Sequence, residues 1–155
     1  MTLEELGSLG ELVAAIATIA TLAYLAIQIR QSTTSTRTAT YQAIVSTSIE
    51  LGNTFSRDAE FADLYIRALN DLDSLSPPER VRLHAHVSSV LRTYELVFHQ
   101  REHGAIDEDV WQGWRLDMIR FLAFPAYRNS WDASRDQFPA AFRAEVEAAI
   151  GPDER

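Results

Sequence analysis

Residues 99–103 read His-Gln-Arg-Glu-His, an HxxEH pattern with two imidazoles one helical turn apart. On a helix, His99 and His103 share a face and can both ligate zinc, with Glu102 as general base, the layout of inverted zinc peptidases. A third ligand would have to come from far along the chain, where Glu145 and Glu147 are the candidates. The pattern sits beside Gly104 at a helix end, where His also suits the negative end of the helix dipole, and short motifs of this kind recur without their chemistry. Glu95 extends the stripe by one turn. A ferritin-like site would need Glu-x-x-His pairs on several helices, and Phe98 stands where that His belongs. Surface pairing of Glu95 with His99 is the expectation instead. His84 and His86 fall on different helix faces. No catalytic residue, metal ligand or cofactor is assigned.

Trp111 and Trp114 bracket Gly113, with Arg115, Arg120 and Arg128 nearby. Trp111, Trp114 and Arg115 thus outline a small aromatic pocket for a carboxylate, the kind of site a ligand sensor would carry. Aromatics at helical spacing are more often core, and these arginines have Asp107, Asp109 and Asp117 as partners. Ser88-Ser89 has no nucleophile context, and GxSxG and Gly-rich phosphate loops are both missing, so acyl and phosphoryl transfer have no support. There is no Cys, which removes disulfides and thiolate chemistry.

The elements that position these groups read as helices throughout. Phe61, Leu64, Tyr65, Ala68 and Leu69 recur at helical spacing over 58–70. Ser76 before Pro77-Pro78, with Glu79 three residues on, is a helix start closed by a capping box, and that helix should run to Gly104. Asp107 caps a helix that Pro125 ends or kinks; a shorter one carries Tyr127 and Trp131; the last begins near Pro139 and stops at Gly151-Pro152. No stretch alternates with period two. The fold class expected is all-α, a bundle of four or five helices.

Upstream, Leu12 to Ile29 is an uncharged run closed by Arg30. It covers roughly 27 Å as a helix, near the thickness of a bilayer core. The chain therefore divides into a tail and membrane span, 1–30, and a soluble helical domain, 31–155. The span is expected to continue through the Ser/Thr run at 32–40 to about Leu51, with Gly52-Asn53 as the stop and a break within the run as the competing outcome. Helical angles place Ala14, Ala17, Thr18, Thr21 and Gln28 on one side and Leu12, Ile16, Ile19 and Ile27 opposite, a helix-packing face and a lipid face. The N-terminus has acids and no basic side chain before the span, unlike a cleaved signal peptide, so the segment reads as an anchor. Glu4, Glu5 and Glu11 precede it and Arg30 and Arg37 follow, so the positive-inside rule puts the N-terminus outside and the C-terminal domain in the cytoplasm.

The 155 residues are 46% hydrophobic and 23% charged, with 14 basic and 22 acidic residues and a net charge of −8. Every basic residue but His is Arg, and the arginines are spread among the acids without a basic stripe, which argues against nucleic acid as a partner. Gly10-Glu11 leading into the span, its exit Ala26-Ile27-Gln28-Ile29-Arg30-Gln31, and Arg37-x-x-x-Tyr41-Gln42 form a recognisable layout. With Leu75-Ser76-Pro77, Glu79-Arg80, Trp111-x-Gly113-Trp114 and Trp131, it resembles an uncharacterised family of small bacterial single-span membrane proteins. The resemblance implies an inner-membrane anchor with a cytoplasmic helical domain and brings no activity with it. The function expected is a non-enzymatic interaction module in the bilayer, a homo-oligomer or an accessory subunit of a larger membrane complex. A ligand-sensing or channel-like oligomer, and a zinc hydrolase using residues 99–103, are the alternatives.

Overall fold

The computed structural model describes residues 3–151 and is all-α: α1 (Leu3–Arg57), α2 (Ala59–Asn70), α3 (Pro77–Glu102), α4 (Glu108–Leu122), α5 (Pro125–Ser134) and α6 (Ala140–Ile150). No strand occurs among the described residues. Pro152, half of the expected final stop, lies outside them, and Gly151 at φ 73° ends α6 by itself. Two compact units emerge, Met1–Ala39 and Thr40–Arg155, so the packing boundary lies ten residues beyond the end of the apolar run.

Among the described residues α1, which begins in the first unit, is the one helix long and apolar enough to cross a membrane. Its most apolar window has a mean hydropathy of 2.1, and none of it is buried. The Ser/Thr run does not break it. Thr33, Thr34 and Thr38 each donate their hydroxyl to the carbonyl four residues back, at 2.9, 3.1 and 3.0 Å, which satisfies the side chain within the helix.

The expected stop at Gly52-Asn53 is also passed, and α1 ends at Arg57. Gly52 is helical, a Cβ there would meet nothing within 4 Å, and one glycine costs a helix only about 1 kcal/mol. The boundary is made by Asp58 instead. Its extended backbone leaves the helix, and its Oδ1 accepts the Phe61 N–H at 2.8 Å to start α2.

The second unit is built on α3, against which α2, α4, α5 and α6 all pack. Its start follows the Ser-Pro-Pro-Glu signal. Glu79 accepts from the Ser76 N–H (2.8 Å) and hydroxyl (2.7 Å) and from Arg67 of α2 (2.5 Å), and these bonds hold its carboxyl down at about 2. Its end is made by Gly104 at φ 67°. Val87, Leu91 and Val97 of α3 are fully buried, with Ile44 of α1, Leu64 of α2, Trp111 and Met118 of α4, Tyr127 and Trp131 of α5, and Phe142 and Val146 of α6 around them. The domain thus uses the end of α1 and five further α-helices, the short α5 among them with its own buried face of Ala126, Tyr127 and Trp131.

Leu91→Ala should cost about 2–5 kcal/mol, since it empties the centre of this core. Gly52→Ala should instead stabilise by about 0.5–1 kcal/mol. Chemical denaturation of the full chain in mild detergent, followed by circular dichroism, checks both signs.

Candidate functional site

Four helices of the second unit leave a cavity of about 180 Å³ between them. The end of α1 contributes Ser48, Leu51, Gly52 and Phe55; α2 contributes Tyr65; α3 contributes His86, Val90, Thr93 and Tyr94; α4 contributes Trp114, Asp117 and Phe121. The residues from α3 recur at i, i+4, i+7 and i+8, so they form one stripe along the flank of its core face. Their neighbours on α4 follow the same rule, Trp114, Asp117 and Phe121 lying three and four residues apart.

The aromatic walls meet at steep angles. Phe55 and Tyr65 are 4.6 Å apart at 74°, Tyr94 and Trp114 are 6.2 Å apart at 74°, and Tyr94 and Phe121 are 5.9 Å apart at 63°. Phe121 is itself backed by the Tyr127 ring, stacked at 4.2 Å and 17°. The Tyr127 hydroxyl is buried without a well-formed hydrogen bond and lies against Tyr65, ring to ring at 5.5 Å.

One ionised side chain lines this cavity. Asp117, exposed at its rim, accepts the hydroxyl of buried Tyr94 at 2.7 Å. No arginine is among the lining residues. His86 stands between Phe55 and Phe61, 5.2 and 5.0 Å from their rings, and burial lowers its pKa, which keeps the imidazole neutral at pH 7. Burial raises the phenols of Tyr94, Tyr127 and Tyr65 above their ordinary value. For Tyr94 the carboxylate of Asp117 adds to the rise, because it is bonded to the neutral form.

The three residues expected to outline a pocket are not brought together. Trp114 is in the cavity wall, but Trp111 is buried in the core against Phe98, 5.6 Å ring to ring, and Arg115 turns to Glu145 of α6 at 2.6 Å. Residues 99–103 line a separate groove of about 540 Å³ between α3 and the start of α6, with Leu96, Phe98, Pro139 and Phe142. The His99 and His103 rings are 4.2 Å apart, and His103 Nδ1 lies 2.8 Å from the His99 carbonyl oxygen. Glu102 pairs with Arg101, Glu145 with Arg115 and Glu147 with Arg135, so neither remote acid turns to the imidazoles. Among the described residues no group of three or more His, Asp or Glu could hold a metal. The expected Glu95–His99 pair is replaced by Arg92, which donates to Glu95 at 2.7 Å and lies over the Phe138 ring at 4.2 Å.

On the span, the Thr18 and Thr21 hydroxyls donate to the Ala14 and Ala17 carbonyls, both at 2.8 Å, and Gln28 donates its amide to the Tyr24 hydroxyl at 3.0 Å. The two hydroxyls of this side are therefore satisfied within the helix, and its residues from Ala14 to Thr21 are small, with the exposed Leu25 on the same face before Gln28. Sequence reasoning missed Phe55, Tyr65, His86, Tyr94 and Asp117. The one available signal was Asp117, an acid flanked at i−3 and i+4 by Trp114 and Phe121.

Known families, curated proteins and solved structures offer no match. The residues themselves carry the functional argument.

Because His86 binds its proton less readily folded than unfolded, stability should fall as pH drops below about 6.5, where the unfolded chain becomes protonated and the folded one does not. In His86→Phe that part of the fall should vanish. Thermal melts of both chains between pH 5 and 8 measure it, and equal slopes would contradict the burial of His86.

Proposed function

We propose that this protein is a non-enzymatic, membrane-anchored module that associates with other proteins, or with its own copies, through its span. The observation that carries the proposal is that the chain buries none of its most apolar segment. Leu12, Ile16, Ile19, Leu22, Ile27 and Ile29 are each more than half exposed. At about 1.5–3 kcal/mol per large aliphatic side chain, leaving that run in water would cost on the order of 10 kcal/mol, comparable to the whole stability of a domain. A bilayer removes the cost.

Lipid accounts for the bulky side only. The side formed by Ala14, Ala17, Thr18, Thr21 and Gln28 has its hydroxyls tied to its own backbone, and small residues such as those from Ala14 to Thr21 let helices approach closely in lipid. Arg30 and Arg37 after the span, against Glu11 before it, support an inner membrane with the helical domain on the cytoplasmic side.

The mass of the full chain purified in mild detergent should exceed that of one 17.4 kDa copy, through self-association or a co-purifying membrane protein. Thr18→Leu with Thr21→Leu should reduce the assembled fraction several-fold. A strictly monomeric, partnerless protein would overturn the proposal, and an assembly unchanged by the double substitution would move the contact to another face.

A further inference from the structure

The cavity of the second unit combines three properties. Its lining is mainly aromatic, with Phe55, Tyr65, Tyr94, Trp114 and Phe121 set at steep angles around a cleft that is open to solvent on one side. Its charge is one-signed: Asp117 is in the lining and no arginine is, although arginines pair with acids elsewhere across this domain. The carboxylate is also unspent. Among the described residues Asp117 has no ion-pair partner and holds only the Tyr94 hydroxyl.

We propose that this cavity binds a small alkylammonium cation against the rings of Phe55, Tyr65, Tyr94, Trp114 and Phe121, with Asp117 balancing its charge. A ring face carries the negative part of its quadrupole, and a cation with methyl groups meets several such faces without having to shed a tight hydration shell. At about 180 Å³ the space is below the roughly 300 Å³ of drug-sized sites, which suits a trimethylammonium or a short amine. The neutral His86 adds no competing charge. The ligand is the free cation and not a phosphocholine lipid headgroup, because a phosphate beside Asp117 would find no arginine in the lining. This site is independent of the span, so its failure would leave the membrane proposal standing.

The test is calorimetric titration of choline and tetramethylammonium into the full chain in a detergent without choline groups. Phosphocholine and the uncharged isostere 3,3-dimethylbutanol serve as comparisons. Saturable one-to-one binding of both cations is expected, at least tenfold tighter than either comparison. Asp117→Asn should weaken choline at least tenfold and Phe55→Leu about fivefold, with melting temperatures showing that both variants fold. No binding in the millimolar range, equal binding of the uncharged isostere or of phosphocholine, or affinity unchanged in folded Asp117→Asn would each overturn the proposal.

Discussion

The helical domain depends on one shared surface, the apolar side of α3. Four other helices reach the core by leaning on it, and Val87, Leu91 and Val97 are so enclosed that none of them keeps contact with water. A helix of 26 residues can serve this way only if both ends are fixed. Glu79 fixes the first turn to Ser76 and to Arg67 of α2, and Gly104 releases the chain at the other end in a conformation that a side chain would resist. The cavity is a by-product of the same strut. Its stripe at His86, Val90, Thr93 and Tyr94 lies beside the core face, where the end of α1 and α4 do not quite close over it.

Helix boundaries were legible wherever they are made by local chemistry. Ser76 with Pro77 and Pro125 at the head of α5 each act within a few residues of themselves, so they act alike in a sequence and in a fold. Gly52 misled because a glycine signals an end only when the chain needs a positive φ, and here the helix had a better boundary at Asp58. That one helix is long and apolar enough to cross a membrane was legible for the same reason as the caps: it is a property of one uninterrupted segment. The length of α1 was less so, because Gly52-Asn53 looks in sequence like a stop that the helix passes on its way to Arg57.

The cavity could not be read because it belongs to no segment. Its walls come from four helices, and whether an aromatic is wall or core depends on a rotation of a few tens of degrees. Trp111 and Trp114 are three residues apart, and one faces Phe98 in the core while the other faces Tyr94 beside the cavity. Charge pairing is equally non-local. Glu145 suited a zinc ligand in the sequence and is an arginine's partner in the fold, whereas Asp117 suited an arginine and is bonded to a tyrosine. Spacing determines which groups share a helix face. Only packing determines what that face meets.

Span and domain then divide the labour in a way that follows from what each leaves unsatisfied. The domain has a buried core of its own and leaves one carboxylate among rings. The span buries nothing, and its two sides differ in what they ask of their surroundings. The absence of native cysteine makes that difference directly measurable. Photo-reactive maleimides attached to Ala14→Cys, Ala17→Cys, Thr18→Cys and Thr21→Cys in native membranes should crosslink to protein, and those at Leu12→Cys, Ile16→Cys and Ile19→Cys to lipid. Crosslinks to lipid alone at every position, or no periodicity around the helix, would contradict the account of this helix as an anchor with one side given to another protein.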